Sequence, residues 1–377
     1  MTDERKGPPR SSLVPPPGTS RSSGRPPSSR VEPSTSARRI SSSLSIRGLD
    51  FDIVTAARRI LEASLTIVPG DKVILILDRA RGAMSDVLAE TARSIGAKCE
   101  VVILEDLGPR PHSTLAPALV ALLNDAQASL LLVGFERGEQ PMRLELLRLV
   151  ASLRLRHAHM VGVSRRSLIA GFAVDPNRIL DATRALRMRL RADSTLKVQS
   201  RAGTSLVIQL SPHHRWAEQV GAIRPGKWEN LPTGELSTAP QRIDGIYVAD
   251  ASVGGHFEHT ELLQRTPIRL TFEASQVKSV ECDDGILLRS VEAYLASDTL
   301  ADRIGTIAFG TNVGILTPIG EIVCDQNMPG LHLSLGNTFP DITGAPEGAK
   351  TQLTLTAQLL DIDLDGQRIM HAGRYLI

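Results

Sequence analysis

Apolar positions follow two rhythms, one before and one after about residue 192. Over residues 50–67 they recur at helical spacing, at Phe51, Val54, Ala57, Ile60, Leu61 and Leu65. A turn at Pro69, Gly70 and Asp71 follows, and then residues 72–77, a continuous β-branched and leucine run of the kind a buried parallel strand needs. Residues 84–95 return to helical spacing, with Gly96 placed as a C-cap, and 100–104 read as the next strand. The pattern then predicts a helix over 116–124, a strand over 128–133, a helix over 142–156 and a short strand over 157–163. An Asp-Pro start signal opens a helix over 175–191. Alternation of strand and helix is the signature of a doubly wound α/β domain.

Beyond Ser194 the helical rhythm gives way to short strands between turns, at 197–200, 204–210, 245–249, 268–272, 306–309, 332–335 and 352–363. One helix, over 287–296, interrupts them. This half is expected to be β-rich and largely antiparallel. The domains expected are therefore a tail over 1–47, an N-terminal α/β domain over 48–191 and a C-terminal β-rich α+β domain over 192–377. The tail is proline, serine and arginine with almost no periodic apolar residues, so it is expected to be disordered.

Composition narrows the function. The 377 residues carry a formal net charge of +2, which does not mark the whole molecule as a nucleic-acid binder. Cys99, Cys282 and Cys324 are odd in number and widely spaced, against a disulfide framework and in keeping with a reducing cytoplasm. No apolar run is long enough to span a membrane, and the Arg38-Arg39 pair lacks the apolar region of an export signal. No glycine-rich fingerprint follows the first strand, so nucleotide binding has no support.

Several groups are candidates for chemistry. His157 and His159 would share one strand face as a metal pair, and Arg184, Arg187 and Arg191 form a basic stripe suited to an anion or simply to water. Ser211 near His213 and His214, and Cys324 beside Asp325, are the neighbours that tempt a nucleophile reading, but neither has an oriented base. The most informative stretch is 226–240, turn-rich, with Glu235 directly after Gly234. Downstream lie 305–312 and 330–340, the latter with His332.

The chain from about Asp50 onward resembles the M29 metalloaminopeptidases, the aminopeptidase T type. The matching pieces are 68–75, 201–206, 230–240, 309–312 and 331–340, in order. The resemblance implies an N-terminal α/β domain, a C-terminal domain holding two divalent metals, and a homodimer. It implies metal ligands from two glutamates, a histidine and a late His-x-Asp pair, with a tyrosine assisting. Carried over, the first glutamate falls on Glu235 and the histidine on His332. The second glutamate falls on Thr306, the tyrosine on Phe339, and the late pair on or near Thr354 and Thr356.

Threonine hydroxyls are weak neutral ligands and do not replace carboxylate or imidazole at a transition metal. A bridged dinuclear site is therefore not expected, and no cofactor or metal is expected. A substitute site built from Glu235 and His332 with His256, Glu258, His259, Glu321 or Asp325 stays open, as an aminopeptidase or a mononuclear metal oxygenase. The reading preferred from sequence is a catalytically degenerate, cytoplasmic member that binds a peptide along Glu235, His332, Thr306, Phe339, Thr354 and Thr356. That peptide is expected to be of the ribosomal-precursor type, presented to a partner biosynthetic enzyme. No nucleic-acid or membrane partner is expected.

Overall fold

Helices and strands alternate from Phe51 to Arg189. In order they are α1 (Phe51–Arg58), β1 (Lys72–Leu77), α2 (Gly82–Ser94), β2 (Lys98–Ile103), α3 (Pro117–Asn124), β3 (Ala128–Val133), α4 (Gln140–Ser152), β4 (Arg156–Val161), α5 (Arg165–Gly171) and α6 (Pro176–Arg189). The structure, a computed structural model, describes residues 51–254, 257 and 262–377. The expected tail over 1–47 and the loop residues His256, Glu258 and His259 lie outside the described residues. What is described belongs to one compact unit, Ser45–Ile377.

β1 and β3 are buried from Val73 and Ala128 onward, because their unbroken apolar runs are covered on both faces. They pair in parallel with β2 and β4. Asp175 caps α6 by accepting from the Asn177 N–H, as the Asp-Pro signal predicts. Three details differ from expectation. The first helix closes with a wider turn over Arg59–Ser64. The helix expected over 142–156 stops at Ser152, since Arg156 already pairs with Ala128. The short helix α5, capped by the Ser164 hydroxyl, went unforeseen because it is only seven residues long.

The remainder continues with β5 (Thr195–Gln199), β6 (Ser205–Gln209), β7 (Ala217–Gln219), β8 (Lys227–Asn230), β9 (Glu235–Thr238), β10 (Arg242–Ala249), β11 (Ile268–Glu273) and β12 (Gln276–Glu281). Then come α7 (Gly285–Leu295), β13 (Ile304–Gly310), α8 (Ile322–Asp325), β14 (Gly330–Gly336), α9 (Pro340–Thr343), β15 (Gln352–Leu355), β16 (Asp361–Leu364), β17 (Gln367–His371) and β18 (Arg374–Tyr375). They build an eight-stranded sheet, β12-β11-β10-β6-β5-β16-β17-β18, and a five-stranded one, β15-β14-β13-β9-β7. Every pairing in both is antiparallel.

The strand expected over 352–363 is two strands in different sheets. Between them Leu359 takes φ 51° and the chain turns from one sheet to the other. The stretch 226–240, expected as turns, is two strands as well. β8 joins the parallel sheet as its edge, in the order β2-β1-β3-β4-β8, while β9 sits in the five-stranded antiparallel sheet. The segment 231–234 is thus a bend joining two sheets.

The two antiparallel sheets pack face to face. The five-stranded sheet gives its Leu236, Ile307, Phe309, Leu331, Leu333, Leu335, Leu353 and Leu355 side to the shared core. Because strand side chains alternate, the intervening residues must face the other way.

Candidate functional site

The other face of the five-stranded sheet is the floor of a cleft of about 610 Å³. Backbone register lays out its side chains. Gln219 lies opposite Glu235. One row runs Ala217, Ser237, Ala308, His332, and the next runs Thr306, Ser334, Thr354. Of the sequence-derived residues, Glu235, His332, Thr306, Phe339 and Thr354 all line this cleft. Thr356 does not. It lies beyond the end of β15, fully buried, where its hydroxyl takes the Ser252 N–H at 2.8 Å and lies 2.8 Å from the Ser252 hydroxyl.

The glycines around Glu235 are steric requirements. Gly234 has φ 129°, and a Cβ there would lie 2.6 Å from the Asn312 nitrogen. Asn312 in turn donates to the carbonyls of Gly171 and Thr233 at 2.8 and 2.9 Å, pinning α5 to the bend before β9. Gly310 leaves room for the Met328 carbonyl oxygen, which would come within 1.9 Å of a Cβ. That oxygen accepts the Nε2–H of His332 at 2.9 Å. A carbonyl only accepts, so the proton is on Nε2, and Nδ1 carries a buried lone pair with no hydrogen-bond partner among the described residues. His332 is 1 % exposed, and burial lowers its pKa to about 4, so the ring is neutral at pH 7.

Glu235 is the acid on this floor. Desolvation raises its pKa, and a hydrogen bond from the Ser237 hydroxyl offsets that in part. Beside it the chemistry is neutral. The hydroxyls of Ser334 and Thr354 lie 2.9 Å apart, and the Gln352 amide donates to Thr354 at 3.3 Å. Phe339 stands at the rim with φ 49°, its N–H held by the Asn337 side chain at 2.7 Å.

The residues present do not fit the two divalent ions that the resemblance implies. Among the described residues no three of His, Cys, Asp and Glu gather closely enough to hold an ion. The positions between Glu235 and His332 carry Ser237 and Ala308, and the next row carries hydroxyls only. Glu321 is engaged by the hydroxyls of Ser164 and Ser167, and Asp325 accepts the N–H groups of Ile319 and Gly320, both at 2.9 Å. Cys324 is buried and its thiol pKa is pushed up by desolvation, so it is no nucleophile. All three cysteines are free. His157 and His159 do come together, Nε2 to Nδ1 at 3.3 Å, but the other ring nitrogen of His157 is taken by the Ser129 hydroxyl at 2.8 Å. Arg187 of the basic stripe lies over the Trp216 ring at 5.8 Å.

Facing the floor is a wall that the sequence did not announce. α4 shows the cleft one stripe, Gln140, Arg143, Leu144 and Leu147, while Met142, Leu146 and Val150 go to the core. Phe135, His159 of β4 and Trp228 of β8 complete it. The rings of His159 and Trp228 are 5.8 Å apart, and the Arg143 guanidinium lies 5.7 Å over Phe135. Burial lowers the His159 pKa to about 4, helped by the charge of Arg143, so this ring too is neutral. The available sequence signal was a second apolar stripe on α4, at Leu144 and Leu147, beyond what the core uses.

Comparison with known proteins bears on both halves. The thermophilic metalloprotease (M29) family model matches residues 179–357. AmpT from Thermus thermophilus has a similar structure, with a TM-score of 0.62 and 19% identity, covering 86% of this chain and 99% of that one. The 2,5-dihydroxypyridine dioxygenase of Pseudomonas putida KT2440 is similar too, with a TM-score of 0.60 and 17% identity over 86% of this chain and 96% of that one. No curated protein sequence matches significantly. No helix among the described residues is long and apolar enough to cross a membrane. Residues 179–357 thus match the M29 family, on a fold of the aminopeptidase T type that extends over most of the chain.

Proposed function

We propose that this protein binds the N-terminal end of a peptide in the cleft and does not turn it over. The observation that carries this reading is the state of the floor. It keeps two acceptors, the Glu235 carboxyl and the unpartnered Nδ1 of His332, and sets the hydroxyls of Thr306 and Thr354 at two further ligand positions. An acceptor left without a partner in a buried site is costly. A peptide ammonium brings N–H donors and a positive charge, and so complements a desolvated carboxylate. The cleft volume falls in the range of about 300–1,000 Å³ typical of ligand sites. A non-catalytic protein of this kind suits the presentation of a ribosomally made precursor peptide to a separate biosynthetic enzyme.

A second reading draws on the same nitrogen. Nδ1 of His332 and the Glu235 carboxyl are also metal-ligand types, and the M29 family and the dioxygenase of similar fold make a rebuilt metal enzyme the competitor. One set of measurements separates the two. Metal content of the purified protein is determined after dialysis, and binding of short fluorescent peptides is measured with free and with acetylated N-termini. Micromolar binding that is lost on acetylation, and weakened at least tenfold by Glu235→Gln, is expected in metal-free protein. Stoichiometric metal, or release of N-terminal residues that Glu235→Gln abolishes, would overturn the proposal.

A further inference from the structure

The fold leaves an unusual amount of large apolar surface in this one cleft. Phe135 is 42 % exposed, Leu144 44 %, Trp228 41 % and Ile342 52 %. Aromatic residues make up only 3% of the chain, yet Phe135, Trp228 and Phe339 all line the same space. Scattered single apolar residues on a surface need no explanation, but several converging on one concave site mark a binding surface.

Local structure explains why Trp228 is free to serve. Among the described residues β8 is the edge of the parallel sheet and pairs with β4 alone, with Trp228 in register with His157. Its ring rests against the neutral imidazole of His159, tilted by 59°, with its remaining surface toward the cleft. The same strand continues through the bend 231–234 into β9, which begins at Glu235. Trp228 on the wall and Glu235 on the floor therefore flank one short bend, at the corner where the two sheets meet.

We propose that this wall selects a peptide carrying an aromatic side chain within its first three residues, with Trp228 as the stacking surface and Phe135 and Leu144 closing over it. The proposal rests on the peptide-binding reading and adds the ligand's chemical class. Aromatic rings gain from offset or edge contacts beyond simple area burial, so tryptophan and phenylalanine should outrank leucine, and leucine alanine. The polar floor fixes the amine and the apolar wall reads the side chain, the usual division between orienting groups and apolar lining in a ligand site.

The test measures affinities of free-amine tripeptides with Trp, Phe, Leu or Ala at each position by calorimetry. The proteins are wild type, Trp228→Ala, Trp228→Phe and Phe135→Ala. The best aromatic peptide is expected to bind wild type at least tenfold more tightly than its alanine counterpart. Trp228→Ala is expected to erase that preference, and Trp228→Phe to keep most of it. Trp228 is half exposed, so its truncation is not expected to unfold the chain, and circular dichroism checks this. Equal binding of aromatic and alanine peptides by wild type would sink the selectivity while leaving peptide binding standing. A preference that survives both Trp228→Ala and Phe135→Ala would overturn the assignment of selection to this wall. Binding of none of these peptides would remove the parent reading and the selectivity together.

Discussion

Two clusters of buried polar groups in this protein differ in one respect, whether their hydrogen-bonding capacity is met from within. The first lies at the carboxyl ends of β1 and β3, the point where a doubly wound sheet usually holds its ligand. Asp78 there accepts from Arg81 Nη1 at 2.8 Å, Arg110 Nη1 at 3.0 Å and the Gly134 N–H. Arg110 also grips Glu139 with two parallel bonds of 2.7 and 2.6 Å and donates to the Gly134 carbonyl at 3.0 Å. Burial would raise the Glu139 pKa, but the Arg110 hydrogen bond and charge prevail and lower it. The second cluster is the floor of the antiparallel sheet, where burial raises Glu235 unopposed by any cation and leaves Nδ1 of His332 unpartnered. The first cluster has filled its own crevice with an arginine. The second has acceptors to offer. Burial and charge alone would rank them equally, so the unmet partner is what points to a ligand.

The largest expected effect breaks the satisfied cluster. Arg110→Ala leaves Asp78 and Glu139, with side chains 3% and 1% exposed, short of their shared cation. Removing one partner of a buried ion pair costs about 3–5 kcal/mol. Urea unfolding should show that loss, with peptide affinity of the folded protein unchanged. A loss below about 1 kcal/mol would mean that the cluster is not the closed structural unit it is taken for.

The next effect concerns acid. His332 has a folded pKa of about 4 against an ordinary value of 6.5. The unfolded state therefore binds the proton first, and the stability attached to the neutral ring is lost as pH falls from 6.5 to 4. The full span is about 3 kcal/mol, at 1.36 kcal/mol per pKa unit. Asp325 opposes it, because burial lifts its pKa from 3.8 to about 6, so its folded form is favoured as pH falls through that window. The net wild-type slope is thus flattened. The informative quantity is the difference between wild type and His332→Gln, which should grow steadily in the variant's favour from pH 6.5 down to 4.

Glu235→Gln has a smaller effect on stability and the opposite pH sense. The folded pKa is raised by desolvation, so the native state loses stability as pH rises from the ordinary value of 4.5 through the folded pKa. The variant should match wild type in acid and exceed it by about 1–3 kcal/mol at neutral pH, the usual cost of an uncompensated buried polar group. Binding should move the other way, with the more stable variant the weaker binder. Thermal unfolding across pH, set beside affinity, tests this. A variant that is both less stable and weaker in binding would show Glu235 to be an ordinary structural acid.

Much of this was legible in the chain, and the gaps have physical causes. The alternation Leu331, His332, Leu333, Ser334, Leu335 announces a strand with one core face and one polar face, and β14 is that strand. The apolar runs of β1 and β3 read directly because covering both faces leaves no polar positions. β8 did not read, since Lys227, Trp228, Glu229 and Asn230 have no strand pattern and owe their conformation to pairing with β4. The floor residues were legible through the family resemblance. Thr356 was misplaced because the residue two positions past Thr354 shares its face only if the strand continues, and β15 ends at Leu355. The wall was hidden because Leu144 and Leu147 look in sequence like any core-facing pair.

The smallest effect asks which side of the comparison the hydroxyls of the floor belong to. Ser334 and Thr354 satisfy each other at 2.9 Å, with Gln352 donating to Thr354, so locally they resemble the closed cluster around Arg110. They nonetheless line the cleft with Glu235 and His332. Thr354→Val keeps the shape and removes the hydroxyl, leaving the largely buried Ser334 hydroxyl with the 3.4 Å contact from Gln352. The loss of stability should be about 1 kcal/mol, that of one hydrogen bond. If the hydroxyls only complete the floor, peptide affinity should stay within about twofold of wild type, measured by calorimetry with the best free-amine peptide. A tenfold loss of affinity would place them among the groups that hold the ligand, since a pair already satisfied within the protein has little to lose from an unrelated occupant.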